Sequence, residues 1–354
     1  MNVPAERLSH LVASILRAEG LPQEDARTVA ALMVEADLLG GDGHGVFRLP
    51  RYLERLRAGG FNPRPNIRID RERGAMAVVD GDNGFGHLVM KRCAEEAVAR
   101  AQSHGVGWVG AHHSNHAGVA GVYAMMPLAH DMIGLYVAVG NANHMAPWGG
   151  IDLLLSTNPI AVAVPSAEGR KPILLDLATT VAAYGKVKLA AQRGEPMPEG
   201  WMVGRDGCPL TDPARREEGF LLPIGGPKGY GLALAIGLLA GILNGAACGR
   251  DVIDFTKDTT SPTNTGQFVA AIRVSAFAEP ELFGRTVDAV FDQMRASAPL
   301  PGHDPVRIPG ERREATRRER SAAGVPLHRN LWNELAAIAG ELGIDALSPA
   351  SGER

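Results

Sequence analysis

The sequence predicts a mixed α/β fold, helical at both ends and strand-rich in the middle. Three observations predict it. Apolar residues recur at helical spacing over residues 4–40. From Val106 the texture changes to short apolar runs between small-residue turns: VGWVGAHHS, MIGLYVAVG, PIAVAVP and PILLDLA. Such runs read as buried strands. Helical patterns return from Glu281 onward. The 354 residues, 45% hydrophobic and 21% charged, suit one large or two ordinary globular domains. Only 5% are aromatic, so the core must be largely Ala, Val, Leu and Ile. We expect residues 1–115 and 285–354 to associate as one discontinuous helical domain around a middle domain, 116–284.

In chain order, Leu8, Leu11, Ile15 and Leu16 share a helical face, and Gly20 stands where that helix would stop. Asp25–Leu39 forms a second helix. The loop GDGHGVFR then leads into a short helix, Pro50–Ala58. RIDRERGAMAVVDGDNGFG reads as a hairpin or short strands, and GHLVMKRCAEEAVARAQSHG as a helix ending near Gly105. After the four strand-like runs, residues 184–193 read as helix and PMPEGWMVGRDGCPLTDP as loop and hairpin. GPKGYG opens a long buried helix, QFVAAIRV is a strand and Glu281–Ala296 a helix. RIPGERREATRRERSAAG begins as a turn and becomes a charged helix, followed by the helical NLWNELAAIAGELG. The tail SPASGER is expected to be disordered.

The formal charge of -3 argues against a general nucleic-acid binder but not against small anions. Cys93, Cys208 and Cys248 form no CxxC pair, which fits a reducing compartment and offers no thiolate metal site. Glu6, His10 and Arg17 interrupt the N-terminal apolar pattern, unlike a leader, so a cytoplasmic chain is expected. Gly229 to Gly249 carries no charge and is long enough for a membrane span. Asn244 and several glycines weaken that signal, and no second span or aromatic belt accompanies it, so a buried helix is expected.

GVGWVG matches GxGxxG in letters only: a helix precedes it and a strand follows, the reverse of the dinucleotide fingerprint. No P-loop is present. AHHSNHAG holds His112, His113 and His116, but lacks the HExxH spacing and an acidic third ligand nearby, so no metal is expected. GPKGYG offers the free N–H groups of a helix start plus Lys228, suiting a phosphate or carboxylate, or a tight turn alone. Asp176 ends an apolar run before Ala178, Thr179 and Thr180; by itself this favours a helix cap over a ligand cleft. His44, between two glycines, and Arg48 four positions on could hold the two functional ends of a 2-hydroxy or 2-oxo acid. The imidazole titrates near neutrality and the guanidinium fork matches a carboxylate.

HGVFRLPRYLERLRAGG, SNHAG, NHMAPWGG, STNPIAVAVP, DLATTVAAYGKV, GGPKGYGL and IPGER occur in that order. The set resembles the malate/L-lactate dehydrogenase family, whose members lack the Rossmann fold. The resemblance runs from the first helices to about residue 340. It implies a mixed-sheet domain binding NAD or NADP, here 116–284, a homodimer with active sites near the subunit interface, and a small anionic substrate. It implies that His116, Ala117 and Gly118 approach the nicotinamide. Asp176, Leu177, Ala178, Lys228, Gly229, Pro309, Gly310 and Glu311 would also contact the cofactor. It places Arg48, Tyr52 and Thr157 at the substrate, and proton transfer at His44, the favoured carrier, or His116. Gly43 stands where many relatives have Ser before the histidine. Lys186 stands where imino-acid reductases tend to have Asp, and suits a developing alkoxide or a second anionic group. Reduction of cyclic imino acids is the alternative activity, and a non-catalytic cofactor-binding homologue a third reading.

Overall fold

The computed structural model describes residues 1–345; the tail SPASGER lies outside them. Strand β1 (Asn2–Val3) precedes α1 (Ala5–Ala18), α2 (Gln23–Leu38) and α3 (Leu49–Arg57). Then come β2 (Arg68–Arg73), β3 (Met76–Gly84), α4 (Gly86–His104), β4 (Val106–Ser114), α5 (Ala120–Met125) and β5 (Met132–Ala138). The middle continues with β6 (Ile160–Val164), β7 (Ile173–Leu177), α6 (Tyr184–Arg193), β8 (Met202–Gly204), β9 (Gly219–Leu221) and α7 (Pro227–Ala240). β10 (Gln267–Arg273), α8 (Pro280–Arg295), α9 (Glu311–Ala323), β11 (Val325–Pro326) and α10 (Arg329–Glu341) complete the order.

Seven strands form one sheet in the order β2-β3-β4-β10-β5-β6-β7. Only β3 and β4 run parallel; the other neighbours are antiparallel. The sheet is therefore mixed. Its strands come from both sides of the 115/116 boundary drawn from sequence texture. Gly105, at φ +82, closes α4 in the left-handed conformation, and β4 follows at once. GVGWVG is thus a helix stop entering a strand.

One face of the sheet is covered by α4 and α5, where Val89, Met90, Ala94 and Ala97 pack on Val79, Val109 and Val269. The other carries α7, with Ile236 and Ala240 against Val137 and Phe268. Small residues let these layers close up. A Cβ on Gly107 would lie 2.0 Å from the Ala97 carbonyl oxygen, and one on Gly134 1.9 Å from that of Ala124. The helical layer joins both ends of the chain: Leu335 and Ala339 of α10 share a core with Leu8, Ile15 and Met33, and β1 pairs with β11.

Two expectations are corrected. The charge-free run does not form one long buried helix. α7 stops at Ala240, before Gly241, and Leu238, Leu239, Ile242 and Leu243 are exposed. Asp176 caps no helix that follows it. It lies within β7, and α6 starts only at Tyr184 without a side-chain cap. The Pro196–Pro213 stretch closes only one bridge of its own, Val203 to Pro209; β8 pairs instead with β9.

Replacing Gly107 with Ala should destabilise the fold by about 1–3 kcal/mol through forced overpacking. Gly185 in α6 has open space around it, so Gly185→Ala should stabilise by about 0.5–1 kcal/mol. Denaturant melts that rank the two variants the other way would contradict the packing described.

Candidate active site

The loop after α2 is shaped by a buried carboxylate. Asp37 accepts the Val46 N–H at 2.9 Å, and a Cβ on Gly45 would collide with it at 2.1 Å. His44 N–H donates to the Gly41 carbonyl, and Arg48 Nε donates to the Gly43 carbonyl at 2.7 Å, which aims the guanidinium fork. The glycines around His44 therefore do different work. Gly45 is required by Asp37, whereas Gly43 faces open space and would accommodate a side chain.

One helical turn beyond Arg48, Tyr52 is fully buried on α3, with Phe61, Phe85 and Phe255 edge-on around its ring. Arg55 anchors α3 beneath it, stacking on Phe255 and donating to the Ser261 carbonyl at 2.7 Å. The Tyr52 hydroxyl lies 2.6 Å from His116 Nδ1, and the Gly118 N–H donates to the same nitrogen at 3.3 Å. With Nδ1 engaged, Nε2 is the nitrogen left to meet a ligand. His44 and His116 stack at 5.6 Å between ring centroids. His116 is held from behind by buried Asn115. The Asn115 side-chain amide donates to Asn83 Oδ1 at 2.8 Å and the Gly84 carbonyl at 2.9 Å, and the Asn115 backbone carbonyl accepts from Gln267 Nε2 at 2.8 Å.

Burial, then Arg48 and Arg313, push His44 down to about 4. Burial, then Arg48, His44 and His87, push His116 well below its usual value. Both imidazoles are therefore neutral at pH 7. Burial raises the Tyr52 hydroxyl, keeping it protonated, and lowers Arg48. The cluster is cationic through Arg48 and lined by two neutral rings.

The other motifs meet around the end of β7. The Thr157 carbonyl accepts the Thr179 N–H at 2.9 Å, and Ile224, just before GGPKGYG, donates to the Thr179 carbonyl at 2.9 Å. Leu174 donates to the Pro309 carbonyl, and a Cβ on Gly310 would approach Leu174 N to 2.8 Å. Asp176 accepts from Gly121 N at 3.1 Å and pairs with Arg313 at 3.1 Å, so its carboxylate is already engaged. Leu177 and Ala178 adjoin it, half-buried. Glu311 accepts from Ile308 N and pairs with Arg295. Gly229 is buried, with no room for a Cβ beside the Ile224 carbonyl, while Lys228 is exposed at the start of α7. Ala117 is buried beside His116. A Cβ on Gly118 would come within 3.1 Å of both the His44 carbonyl and His87 Nε2.

Lys186 is exposed on α6. Lys188 is half-buried, and Arg48 acts on its charge after burial to lower it. Its ammonium sits 5.5 Å over Tyr184, which stacks on His144 at 4.0 Å. Sequence reading missed Lys188, Asn115, Arg313 and His87. A lysine two places from Lys186 would have been separable from it only by the helix phase of α6. Neither ring nitrogen of buried His87 has a hydrogen-bond partner among the described residues.

Burial alone holds His87 down to about 3. The unfolded imidazole takes a proton near 6.5 and the folded one does not, so stability falls as pH drops through that window. Asp37, raised to about 7 by burial, titrates with the opposite sign. We therefore compare variants: between about pH 7 and about pH 5, His87→Phe should lose about 1–2 kcal/mol less stability than wild type. Equal pH slopes in urea titrations would contradict this.

A family model described as malate/L-lactate dehydrogenase matches residues 3–336. The L-sulfolactate dehydrogenase of Methanocaldococcus jannaschii is 40% identical over 98% of each chain, and its solved structure superimposes with a TM-score of 0.89. The malate dehydrogenase of Pyrococcus horikoshii is 37% identical over 98% of this chain and 97% of its own. A delta1-piperideine-2-carboxylate reductase from Pseudomonas syringae is 28% identical, with a TM-score of 0.85 over 96% of this chain and 100% of its own. With the match covering nearly the whole described chain and the mixed sheet in common, this protein belongs to the malate/L-lactate dehydrogenase family.

Proposed function

We propose that the protein is a nicotinamide-dependent oxidoreductase interconverting a small 2-hydroxy acid and its 2-oxo acid, with NAD or NADP. The observation that carries this reading is the grouping of His44, His116 and Tyr52 beside Arg48. The chain's residues fit a nicotinamide. Beside Gly118, buried His87 has no hydrogen-bond partner at either ring nitrogen among the described residues, which leaves polar atoms for a ligand amide. DLATT, with GGPKGYG and IPGER brought to β7 by the Ile224–Thr179 and Leu174–Pro309 contacts, would hold the rest of the dinucleotide through Asp176, Leu177, Ala178, Lys228, Gly229, Pro309, Gly310 and Glu311. Lys228 and the free N–H groups of α7 suit its phosphates. When bound, the nicotinamide supplies or takes the hydride.

Arg48 grips the substrate carboxylate through its fork, and Thr157 is a further residue for the substrate side. Gly118 N–H at Nδ1 leaves the proton of neutral His116 on Nε2, which donates to the substrate oxygen, while His44 takes the hydroxyl proton during oxidation and returns it during reduction. Tyr52 and Gly118 at Nδ1 fix the His116 tautomer with its proton on Nε2, which favours His44 over His116 as carrier. The bound carboxylate offsets the Arg48 charge that lowers both imidazoles, so substrate binding itself makes proton uptake easier. Lys188 adds a cation near Arg48, suiting a second anionic group on the substrate, as in malate or sulfolactate. The likeness to a piperideine-carboxylate reductase supports cyclic imino acids as a second reading, but a cationic lysine here disfavours a protonated imine.

A homodimer is supported by the exposed Leu238, Leu239, Ile242 and Leu243 at the end of α7, a contiguous apolar surface seldom left open to water. No helix among the described residues is long and apolar enough to cross a membrane. Three free cysteines support a cytoplasmic setting.

Reduced-nicotinamide absorbance with a panel of 2-hydroxy acids and both cofactors tests the activity; turnover of cyclic imino acids alone would replace it with the second reading. Arg48→Ala should raise KM for the acid by about 10–100-fold without changing cofactor affinity. His44→Ala should lower kcat by about 10²–10⁴-fold, and His116→Ala and Tyr52→Phe by less. Lys188→Met should lower kcat/KM for dianionic acids more than for lactate, and an equal loss on both would remove its role. Sedimentation should give twice the chain mass, and Leu238→Glu with Leu243→Glu should yield monomer.

A further inference from the structure

We propose that Asp80, His112 and His113 bind a divalent transition-metal ion of the zinc class, outside the His44–His116 cluster. The three residues each present a ligand atom, all within 4.8 Å of one another. Strand register sets up two of them. Arg68 faces Asp80 across β2 and β3, and Asp80 faces His112 across β3 and β4, so these side chains form one row on one face. In a regular strand His113 would point to the opposite face. Its backbone is instead left-handed, at φ +47, unusual for a residue other than glycine. His113 Nδ1 thereby comes to 3.1 Å from His112 Nδ1 and 3.0 Å from Asp80 Oδ1. Ligand atoms around a tetrahedral zinc ion, each about 2.0–2.2 Å from the metal, stand roughly 3.3 Å apart.

The surrounding groups suit a ligand set. β2 carries an irregularity between Ile69 and Arg71, and Asp70, at that point, lies 3.4 Å from His112 Nε2. A carboxylate on Nε2–H leaves the Nδ1 lone pair facing the site, the outer-shell arrangement of histidine metal ligands. Arg68 occupies Asp80 Oδ2, and the Asp82 N–H donates to Oδ1 at 3.0 Å. Without an ion, His113 Nδ1 faces an imidazole nitrogen and a carboxylate oxygen with one proton to share. A cation takes the place of that proton, which passes through solvent to Nε2 of the same ring, and meets both acceptors. His113 is 60% exposed, leaving a fourth position to water. The absence of an acidic neighbour in AHHSNHAG argued against a metal; β2 and β3 bring two.

Tag-free full-length protein, stripped with a chelator, should take up one equivalent of Co²⁺ with a visible absorption band and show a higher melting temperature with Zn²⁺. His113→Asn keeps a residue that tolerates the left-handed backbone and should abolish both effects. Asp70→Asn should weaken affinity about 10-fold or more. If His113→Asn does not fold by circular dichroism, His112→Gln takes its place. No saturable uptake by wild type, or undiminished uptake in the folded histidine variant, would overturn the proposal.

Discussion

The active-site geometry depends on the buried amide of Asn115. It ties the end of β3, through Asn83 and Gly84, to the end of β4, and its backbone carbonyl holds Gln267 of β10. Three strands are thereby fixed at the point where the chain leaves the sheet. His116 is the next residue, so its ring position is inherited from that junction. Tyr52 then reaches it from α3, in the helical layer, and Arg55 clamps α3 to the loop around Phe255 and Ser261. Strand ends and helical layer meet at one imidazole nitrogen. A buried network of this kind is costly to leave half-satisfied, which makes the arrangement rigid.

Electrostatics follow from the same enclosure. Burial disfavours charge on His44 and His116, and Arg48 disfavours it further. Two neutral bases thus sit beside a fixed cation in a partly dehydrated space. An anion bound there would relieve this arrangement and raise the basicity of the rings. Arg313 links this cluster to the other half of the site. It lowers His44 and pairs with Asp176 on β7, where the remaining motifs gather.

The two ends of the molecule are joined by comparatively slight devices. A two-residue ladder between β1 and β11, the shared core of α1, α2 and α10, and the Arg317–Glu35 pair bring the C-terminal helices back onto the N-terminal ones. Close-packed glycines and alanines serve where large side chains do elsewhere. With few aromatic residues, density comes from short distances between layers.

By itself the sequence determined what is local. Helical spacing located α1, α2, α4, α8, α9 and α10; apolar runs located β4 to β7 and β10; Gly105 marked its own helix stop. The seven ordered motifs held the family, and Arg48, Tyr52 and His116 were legible within them. Tertiary structure decided what depends on distant pairing. It placed late β10 in the middle of the sheet, engaged Asp176 with Arg313 and Gly121 rather than with the helix that follows, and half-buried Lys188 while leaving Lys186 exposed. It left the end of α7 uncovered, and set Asp70 and Asp80 beside two histidines that have no acidic neighbour in the chain. Periodicity reports which side of an element faces inward. What stands opposite is set by strand register and layer packing, which no single stretch of chain encodes.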